Sequence, residues 1–301
     1  MLRRRHVAAA LVPWSALVTD TASADASAPS LASYYDRHLA LDGDVAWGWT
    51  AAGAPQRRRS GVRQVGVSQD ADFALLDDGT LVTWRDAPAQ PTVLMARVAA
   101  FAAGQSGWFA IDTGRTLWHG GGTTAPRRVA EGVVAACIGD SADYFIDTAG
   151  RLHVHGLAHR GQYGDGKLSA TPGFVVTAHD VVAVKAHTGH AIHLRRDGVV
   201  LGTGGNRFGP LSHHGLGDKA DRWGPIFDGA VAIATGSRHS LAMRADGSLW
   251  AWGEGFGIAP RKLHDGIVAV AAGDTATIAR GADGRLHQWD GGRGPRTVAL
   301  R

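Results

Sequence analysis

Short apolar runs alternate with turn-forming residues along most of the chain. A β-branched run such as "GIVAVAAG" (266–273) or "EGVVAACIG" (131–139) is followed by a second apolar stretch and then by Asp-Gly or a similar pair. After that turn the chain alternates, as in Leu249-Trp250-Ala251-Trp252. A two-residue period places successive side chains on opposite faces and is typical of β-strands. No sustained helical spacing of apolar residues occurs beyond the apolar N-terminal segment, so the pattern predicts an all-β protein.

The turn recurs seven times. Its glycines are spaced 36, 35, 36, 48, 49 and 37 residues apart, and they are Gly43, Gly79, Gly114, Gly150, Gly198, Gly247 and Gly284. Glycine accepts a positive φ, and a preceding Asp can bond its own backbone, so each copy predicts a hairpin. Three or four short strands in each repeat of about 36 residues fit one propeller blade. We therefore predict a single seven-bladed β-propeller over residues 27–301.

The two ends of the chain suggest how this ring closes. Six of the seven turns are preceded by an apolar β run, whereas Gly43 follows only "SLASYYDRHLAL". The chain also ends in "GPRTVALR", a β-branched segment with no turn after it. The expectation is that residues 297–300 supply the missing strand of the first blade, so that the N- and C-terminal strands pair and no sheet edge stays open.

The first residues have the features of a signal peptide. "MLRRRH" is basic, residues 7–18 are apolar but short for a membrane span, and small residues follow up to Ala26. We expect residues 1–26 to be removed, with cleavage after Ala24 or Ala26, leaving an exported protein without a membrane span. Cys137 is the only cysteine, so no internal disulfide can form and the core must stabilise the fold.

The net charge is only +4, and no long basic run occurs. A nucleic-acid partner is therefore not expected. The mature protein is expected to be monomeric.

Two segments, "HSLAMRADGSLWAWGEG" (239–255) and "HGLAHRGQYGDGKLSATPGFV" (155–175), resemble the repeat of the regulator of chromosome condensation family. Its pattern is a Gly, then His-Ser-Leu-Ala, then Asp-Gly-x-Leu-x-x-Trp-Gly, then Gly-Gln-Leu-Gly and a Pro. The resemblance extends over residues 31–301 and implies a seven-bladed β-propeller. Repeats four to six match best, and repeats two, three and seven lack the Gly-Gln-Leu-Gly segment. The short blades and the signal segment are similar to bacterial exported members.

Candidate catalytic and metal-binding residues have simpler explanations in the repeat. His239 occupies the position of Ala71, Ala142 and Ala276 in sister repeats, which favours hydrogen bonding to a neighbouring blade over catalysis. His153 and His155 lie two apart on one strand face, a possible metal-ligand spacing, but a metal site needs three or four convergent ligands. No Gly-x-Ser-x-Gly motif occurs. No catalytic, cofactor-binding or metal-binding residues are therefore predicted.

The functional signal is the extra length of repeats four and five, within 157–180 and 203–228. Insertions in repeat arrays map to loops on one face, which is often the binding face. These insertions contain residue types that anchor interfaces, namely Arg160, Tyr163, Phe174, Arg207, Phe208, His213, His214 and Trp223. The alternative is that their aromatic residues serve only to pack one blade against the next.

The sequence thus predicts an exported, non-enzymatic scaffold that binds an unidentified protein partner through loops on one face, without a cofactor. Three other functions remain open. These are a secreted effector that exchanges guanine nucleotide on a host GTPase, an inhibitor of an extracellular enzyme such as a β-lactamase, and a propeller lyase or glycosidase.

Overall fold

A computed structural model describes residues 30–50, 53–85, 90–105, 107–121, 125–214 and 217–301. All regular elements in this part of the chain are strands, and they form seven four-stranded antiparallel sheets, each built from four consecutive strands. The predicted all-β class and the seven-bladed propeller are confirmed. The predicted signal segment, residues 1–26, lies outside the described residues.

The strands follow one another blade by blade. Blade 1 contains β1 (Leu31–Tyr34), β2 (Arg37–Asp42), β3 (Val45–Thr50) and β4 (Gln56–Arg59), and blade 2 contains β5 (Val62–Val67), β6 (Asp72–Leu76), β7 (Leu81–Trp84) and β8 (Thr92–Met95). Blade 3 contains β9 (Val98–Gly104), β10 (Gly107–Asp112), β11 (Leu117–Gly120) and β12 (Arg127–Ala130), and blade 4 contains β13 (Val133–Ile138), β14 (Ala142–Asp147), β15 (Leu152–Gly156) and β16 (Val175–Ala178). Blade 5 contains β17 (Val181–Ala186), β18 (His190–Arg195), β19 (Val200–Gly205) and β20 (Lys219–Phe227). Blade 6 contains β21 (Ala230–Thr235), β22 (His239–Arg244), β23 (Leu249–Gly253) and β24 (Gly257–His264). Blade 7 contains β25 (Ile267–Ala272), β26 (Ala276–Gly281), β27 (Leu286–Asp290) and β28 (Arg293–Val298).

The first strand of every blade lies at the centre of the ring. Each of these strands contacts the first strand of the next blade, and β25 of the last blade contacts β1 of the first. Side chains converge at this centre, which suits the Ala- and Val-rich runs "VAAFAAG" and "IVAVAA". The fourth strands lie at the rim, where they are the most exposed.

The hydrophobic core is divided among the seven seams between blades. Each of the seven clusters of buried apolar side chains draws its members from two neighbouring blades, including the cluster between blades 7 and 1. A sheet has to bury one face against another layer, and here that layer is the adjacent blade. A single blade therefore has no core of its own.

The predicted turns also link neighbouring blades. The carbonyl of Gly79 accepts the backbone N–H of Val98 at 2.9 Å, and the carbonyl of Gly247 accepts that of Ile267 at 2.8 Å. In the third blade the residue with positive φ is Arg115, at 62°, and its carbonyl accepts the N–H of Val133. The left-handed position in this turn is therefore one residue after the predicted Gly114.

The predicted exchange of a C-terminal strand into the first blade is wrong. Residues 31–34 form the innermost strand of blade 1, and Arg293–Val298 pairs with β27 as the outermost strand of blade 7. The physical reason is solvent exposure. Of the residues in β28 only Val298 is buried, which suits the rim, whereas Tyr34 of β1 is buried. The ring closes by side-chain packing, and the Trp49 indole N–H of blade 1 donates to Gln288 Oε1 of blade 7 at 3.0 Å.

Within the described residues, no helix has the length and hydropathy needed to cross a bilayer.

Candidate protein-binding face

The connections between strands divide the ring into two faces. Successive strands of a blade are antiparallel, so the loop between the first and second strands and the loop between the third and fourth emerge at the same end. We call this end the loop face. The long segments 157–174 and 206–218 both join third to fourth strands and therefore lie on the loop face. The prediction that both insertions belong to one face is confirmed.

Tyr163 is not an interface anchor. Its side chain is fully buried among residues of blades 4 and 5, and its hydroxyl donates to the Gly156 carbonyl at 3.1 Å. The surrounding Gly-Gln-Tyr-Gly segment turns inward, because the Thr203 hydroxyl donates to the Gly161 carbonyl and the Tyr144 hydroxyl to the Gln162 carbonyl. The segment thus packs blade 4 against blade 5.

Trp223 and His214 also have packing partners. The indole of Trp223 lies edge-on to the His193 ring with centroids 4.4 Å apart, and it is partly buried against the same core as Tyr163. His214 Nε2 donates to the Arg222 carbonyl at 2.7 Å. For these two residues the geometry favours the packing alternative over partner contact.

The remaining candidates of the blade 5 loop lie on the surface. Arg207, Phe208 and His213 are exposed, and the Phe208 ring keeps 40% of its surface accessible. Arg160 of the blade 4 loop is also exposed, and its guanidinium lies close to Gly189 in the first loop of blade 5. Phe174, by contrast, is half-buried at the seam between blades 3 and 4.

Phe208 is the centre of a mixed surface that two blades share. The guanidinium carbon of Arg238 lies 4.6 Å from the centroid of its ring, and that of Arg207 lies 5.7 Å away. Arg238 in turn pairs with Glu254 at 3.0 Å. Ile258, which is 53% exposed, lies next to this loop, because a Cβ on Gly209 would be 3.2 Å from its Cγ1. We call Arg207, Phe208, Arg238, Glu254 and Ile258 the Phe208 patch.

Sequence reasoning did not identify the three members that belong to blade 6, which are Arg238, Glu254 and Ile258. Arg238 occupies the loop position that is Gly189 in blade 5 and Thr275 in blade 7. An arginine at a position held by small residues in the neighbouring repeats was the available signal.

The backbone beside the patch is fixed by two buried donors. The Pro210 carbonyl accepts the Trp252 indole N–H at 2.7 Å and the Ser240 hydroxyl at 2.8 Å. Both donors belong to blade 6, and both are buried. The loop that presents Phe208 is thereby held against β22 and β23 of blade 6.

A polar network closes the centre of the loop face. Tyr34 of blade 1 donates its hydroxyl to Asp140 Oδ1 of blade 4 at 2.6 Å, although the two blades lie on opposite sides of the ring. The His187 ring of blade 5 stacks on Tyr34, with centroids 4.9 Å apart. The Thr188 hydroxyl donates to the other oxygen of Asp140 at 3.1 Å. The side chains of three blades thus meet across the channel mouth.

Burial sets the protonation of this network. Burial, together with the hydrogen bond to Asp140, raises the pKa of the Tyr34 phenol well above its usual range. Burial also lowers the pKa of His187, which Asp140 and Asp274 partly oppose. The mouth therefore contains a neutral phenol and a neutral imidazole around a carboxylate.

The same network contains a serine, a histidine and an aspartate without the geometry of a catalytic triad. Ser237 Oγ lies 3.2 Å from His187 Nδ1, and Asp140 Oδ2 lies 3.7 Å from that same nitrogen. In a triad the nucleophile and the orienting carboxylate lie on opposite ring nitrogens of the histidine base. Nε2 of His187 is buried and has no hydrogen-bond partner among the described residues. Ser237, His187 and Asp140 therefore do not form a Ser-His-Asp triad.

His239 has the structural role that the repeat comparison favoured. It is buried, and its Nε2 lies 3.0 Å from the Thr277 hydroxyl of the next blade. His190 makes the same kind of contact to Ser240 at 3.0 Å. Burial lowers the pKa of His190 to about 3 and that of His239 to about 4, so both rings are neutral at pH 7.

Comparison with known proteins gives one matched repeat and a fold. Residues 230–256 match the family model described as the regulator of chromosome condensation (RCC1) repeat. The chain carries this repeat. The matched RCC1 repeat runs from the start of β21 to residue 256, in the loop after β23, and it includes Arg238, Trp252 and Glu254. One RCC1 repeat therefore supplies two of the five residues of the Phe208 patch and the indole that fixes its loop.

Solved structures share the propeller at low sequence identity. Prp20p from Saccharomyces cerevisiae is 17% identical with a TM-score of 0.70, over 81% of this chain and 80% of its own. Human WBSCR16 is 15% identical with a TM-score of 0.56, over 92% and 82%. The CRINKLY WD40 ectodomain of the Arabidopsis thaliana receptor kinase ACR4 is 14% identical with a TM-score of 0.58, over 91% and 98%. These likenesses show the fold.

The channel-mouth network leads to a stability prediction. Tyr34→Phe removes one donor to a nearly buried carboxylate and should lower the free energy of unfolding by about 1.5 kcal/mol, measured by urea denaturation. Tyr35→Phe, at the adjacent exposed ring, should change it by less than about 0.5 kcal/mol. Equal effects of the two substitutions would show that the hydrogen bond across the mouth contributes nothing specific.

Proposed function

We propose that this protein is an exported, non-enzymatic module that binds a protein partner through its loop face, with the Phe208 patch as the contact centre. The observation that carries the proposal is the exposure of Phe208 beside Ile258, on a loop that two buried donors hold in place. The export part rests on the basic and apolar composition of residues 1–26.

The composition of the patch fits a protein partner. Interfaces concentrate binding energy in aromatic and arginine side chains, surrounded by polar groups that exclude water. The patch combines an exposed ring and an exposed aliphatic side chain with two arginines and a glutamate. Such an amphipathic surface of mixed charge suits a folded protein better than a uniformly charged polymer.

The fold of the relatives is compatible with this function. Prp20p, which has the same kind of propeller, has binding properties toward Gsp1p and histones. Those partners belong to Prp20p. For this chain the proposal extends only to a protein ligand on the loop face.

Site-specific photocrosslinking tests the proposal. A photoreactive phenylalanine analogue is placed at position 208 or, as the control, at position 93, where Val93 is 65% exposed on the rim strand β8. Crosslinking is carried out in the producing cells and their medium. Position 208 should give a discrete crosslinked protein that excess wild-type chain competes away, and position 93 should not give it.

The captured protein is then titrated against purified variants. Phe208→Ala should weaken binding about 30-fold, which corresponds to about 2 kcal/mol for an interface anchor. Val93→Ala should bind like wild type, and both variants should keep the wild-type melting temperature. A partner that Phe208→Ala retains with unchanged affinity would show that the contact centre lies elsewhere.

A further inference from the structure

A cleft of about 300 Å³ opens at the rim of the ring between blades 3 and 4. Arg127, Arg128 and Val129 of β12 form one side of the cleft. Phe145 of β14, His155 of β15 and Phe174 beside β16 form the other. Its volume is at the small end of the range for ligand-binding pockets. This cleft is separate from the Phe208 patch, which lies between blades 5 and 6.

Aromatic and aliphatic side chains form one part of the cleft lining. The rings of Phe145 and Phe174 lie 4.9 Å apart and are tilted by 58°. The Phe174 ring also contacts His155, with centroids 5.3 Å apart. Opposite them lies the half-buried side chain of Val129.

The rim of the cleft is cationic. Arg127 and Arg128 are both exposed, and Arg128 also pairs with the exposed Glu131. His155 donates its Nδ1–H to the Gly173 carbonyl at 3.0 Å, which orients the ring. Arg127 is paired with His119 on the face of blade 3 that meets blade 4. Arginine recognises carboxylates through two parallel hydrogen bonds, so this guanidinium suits a carboxylate ligand.

This seam differs from other seams in the way its buried polar position is satisfied. At the start of the second strand of blade 2, Asp72 Oδ1 accepts a hydrogen bond from the guanidinium of Arg37 in blade 1 at 2.7 Å. In blade 7, the Thr277 hydroxyl is hydrogen-bonded in the same way to Nε2 of His239 in blade 6. The equivalent residue in blade 4 is Asp143, and the blade 3 position that would supply its partner is Gly107, which has no side chain. Asp143 Oδ1 is buried without a hydrogen-bond partner among the described residues.

Asp143 lies on the same face of its blade as Phe145 and His155, behind the cleft. Burial raises the pKa of its carboxyl to about 7, although Arg127 opposes the shift. The carboxyl is therefore partly neutral near pH 7, and above that pH its negative charge weakens the attraction of the rim for an anion. Replacing it by an amide should strengthen anion binding.

We propose that the cleft between blades 3 and 4 binds a small organic anion with a flat apolar body, an aromatic carboxylate. The ring occupies the space between Val129 and the two phenylalanines, and the carboxylate binds the guanidinium of Arg127. The apolar contact and the ion pair act together, so neither a carboxylate without a ring nor a ring without a charge should bind well.

Ligand-observed NMR titration of the purified protein tests this with phenylacetate as the probe. Saturable binding is expected with a Kd of about 1 mM or below. Acetate, which has the charge alone, and benzyl alcohol, which has the ring alone, should each bind at least about tenfold more weakly. Acetate binding as tightly as phenylacetate would overturn the proposal in favour of a simple anion site.

Three substitutions locate the binding. Arg127→Gln and Phe174→Ala should each weaken phenylacetate binding about tenfold. Arg57→Gln should leave phenylacetate binding unchanged, because Arg57 lies on the rim strand of blade 1, far from the cleft. Arg57 occupies in β4 the position that Arg128 occupies in β12. Asp143→Asn should tighten binding severalfold at pH 8. If Arg57→Gln weakens binding as much as Arg127→Gln, the ligand is attracted by net charge and the cleft is not its site.

Discussion

A chain that begins at Asp36 should lose cooperative folding, whereas one that begins at Ser30 should fold. The shorter chain lacks β1, the innermost strand of blade 1, which pairs with β2 and contacts the inner strands of blades 2 and 7. It also lacks the buried side chain of Tyr34. We expect a loss of about 5 kcal/mol or more, which is comparable with the whole stability of many domains. Urea denaturation followed by tryptophan fluorescence measures this difference.

Deletion of residues 293–301 provides the comparison. It also removes one strand, but that strand lies at the rim and has Val298 as its only buried residue. The loss should be about 2 kcal/mol, from one buried Val and a few ladder hydrogen bonds. A larger loss from the C-terminal deletion than from the N-terminal one would contradict the observed way in which the ring closes.

Trp252→Ala should cost about 4 kcal/mol of stability, measured by urea denaturation. The Trp252 side chain has no exposed surface, and its ring stacks on Phe227 with centroids 5.6 Å apart. Its indole N–H is one of the two donors to Pro210. The substitution leaves a cavity in the seam between blades 5 and 6 and removes one of the two bonds that hold the loop of the Phe208 patch.

Trp250 is the matched control, since it lies two residues away on the same face of β23. Its ring is only half-buried, and the Arg244 guanidinium covers it at 4.8 Å. Trp250→Ala should cost about 1.5 kcal/mol and should leave amide exchange in the loop 206–214 unchanged. Trp252→Phe, which keeps most of the volume, should accelerate exchange in that loop. Unchanged exchange in Trp252→Phe would show that the Pro210 contact does not hold the loop.

The fold followed from the sequence because its determinants are local and repeated. Asp-Gly turns and period-two runs specify hairpins within a few residues, and seven copies leave a closed ring of blades as the way to bury every sheet face. The role of His239 could also be predicted, because sister repeats replace it with alanine. In the third turn the repeat predicts the left-handed conformation at Gly114, but the next residue, Arg115, adopts it.

The candidate site could be predicted only as a region. The extra length of repeats four and five indicated the loop face. It did not distinguish Tyr163 from Phe208, which are both aromatic and both lie in glycine-rich loops, although the first is buried and the second is exposed. Tyr163 is surrounded by core side chains of two blades and donates its hydroxyl to the Gly156 carbonyl. Phe208 lies two residues before the anchored Pro210 and is 40% exposed beside Arg238.

What the sequence by itself determined is the repeating unit, the number of blades and the face that carries the long loops. The tertiary structure decided how the ring closes, which aromatic residues remain exposed, and that Arg238, Glu254 and Ile258 join Phe208. It also decided that Asp143 meets a glycine across the seam between blades 3 and 4. The reason is physical: turns and strand periods depend on neighbours in sequence, whereas burial at a seam depends on side chains that a different blade supplies.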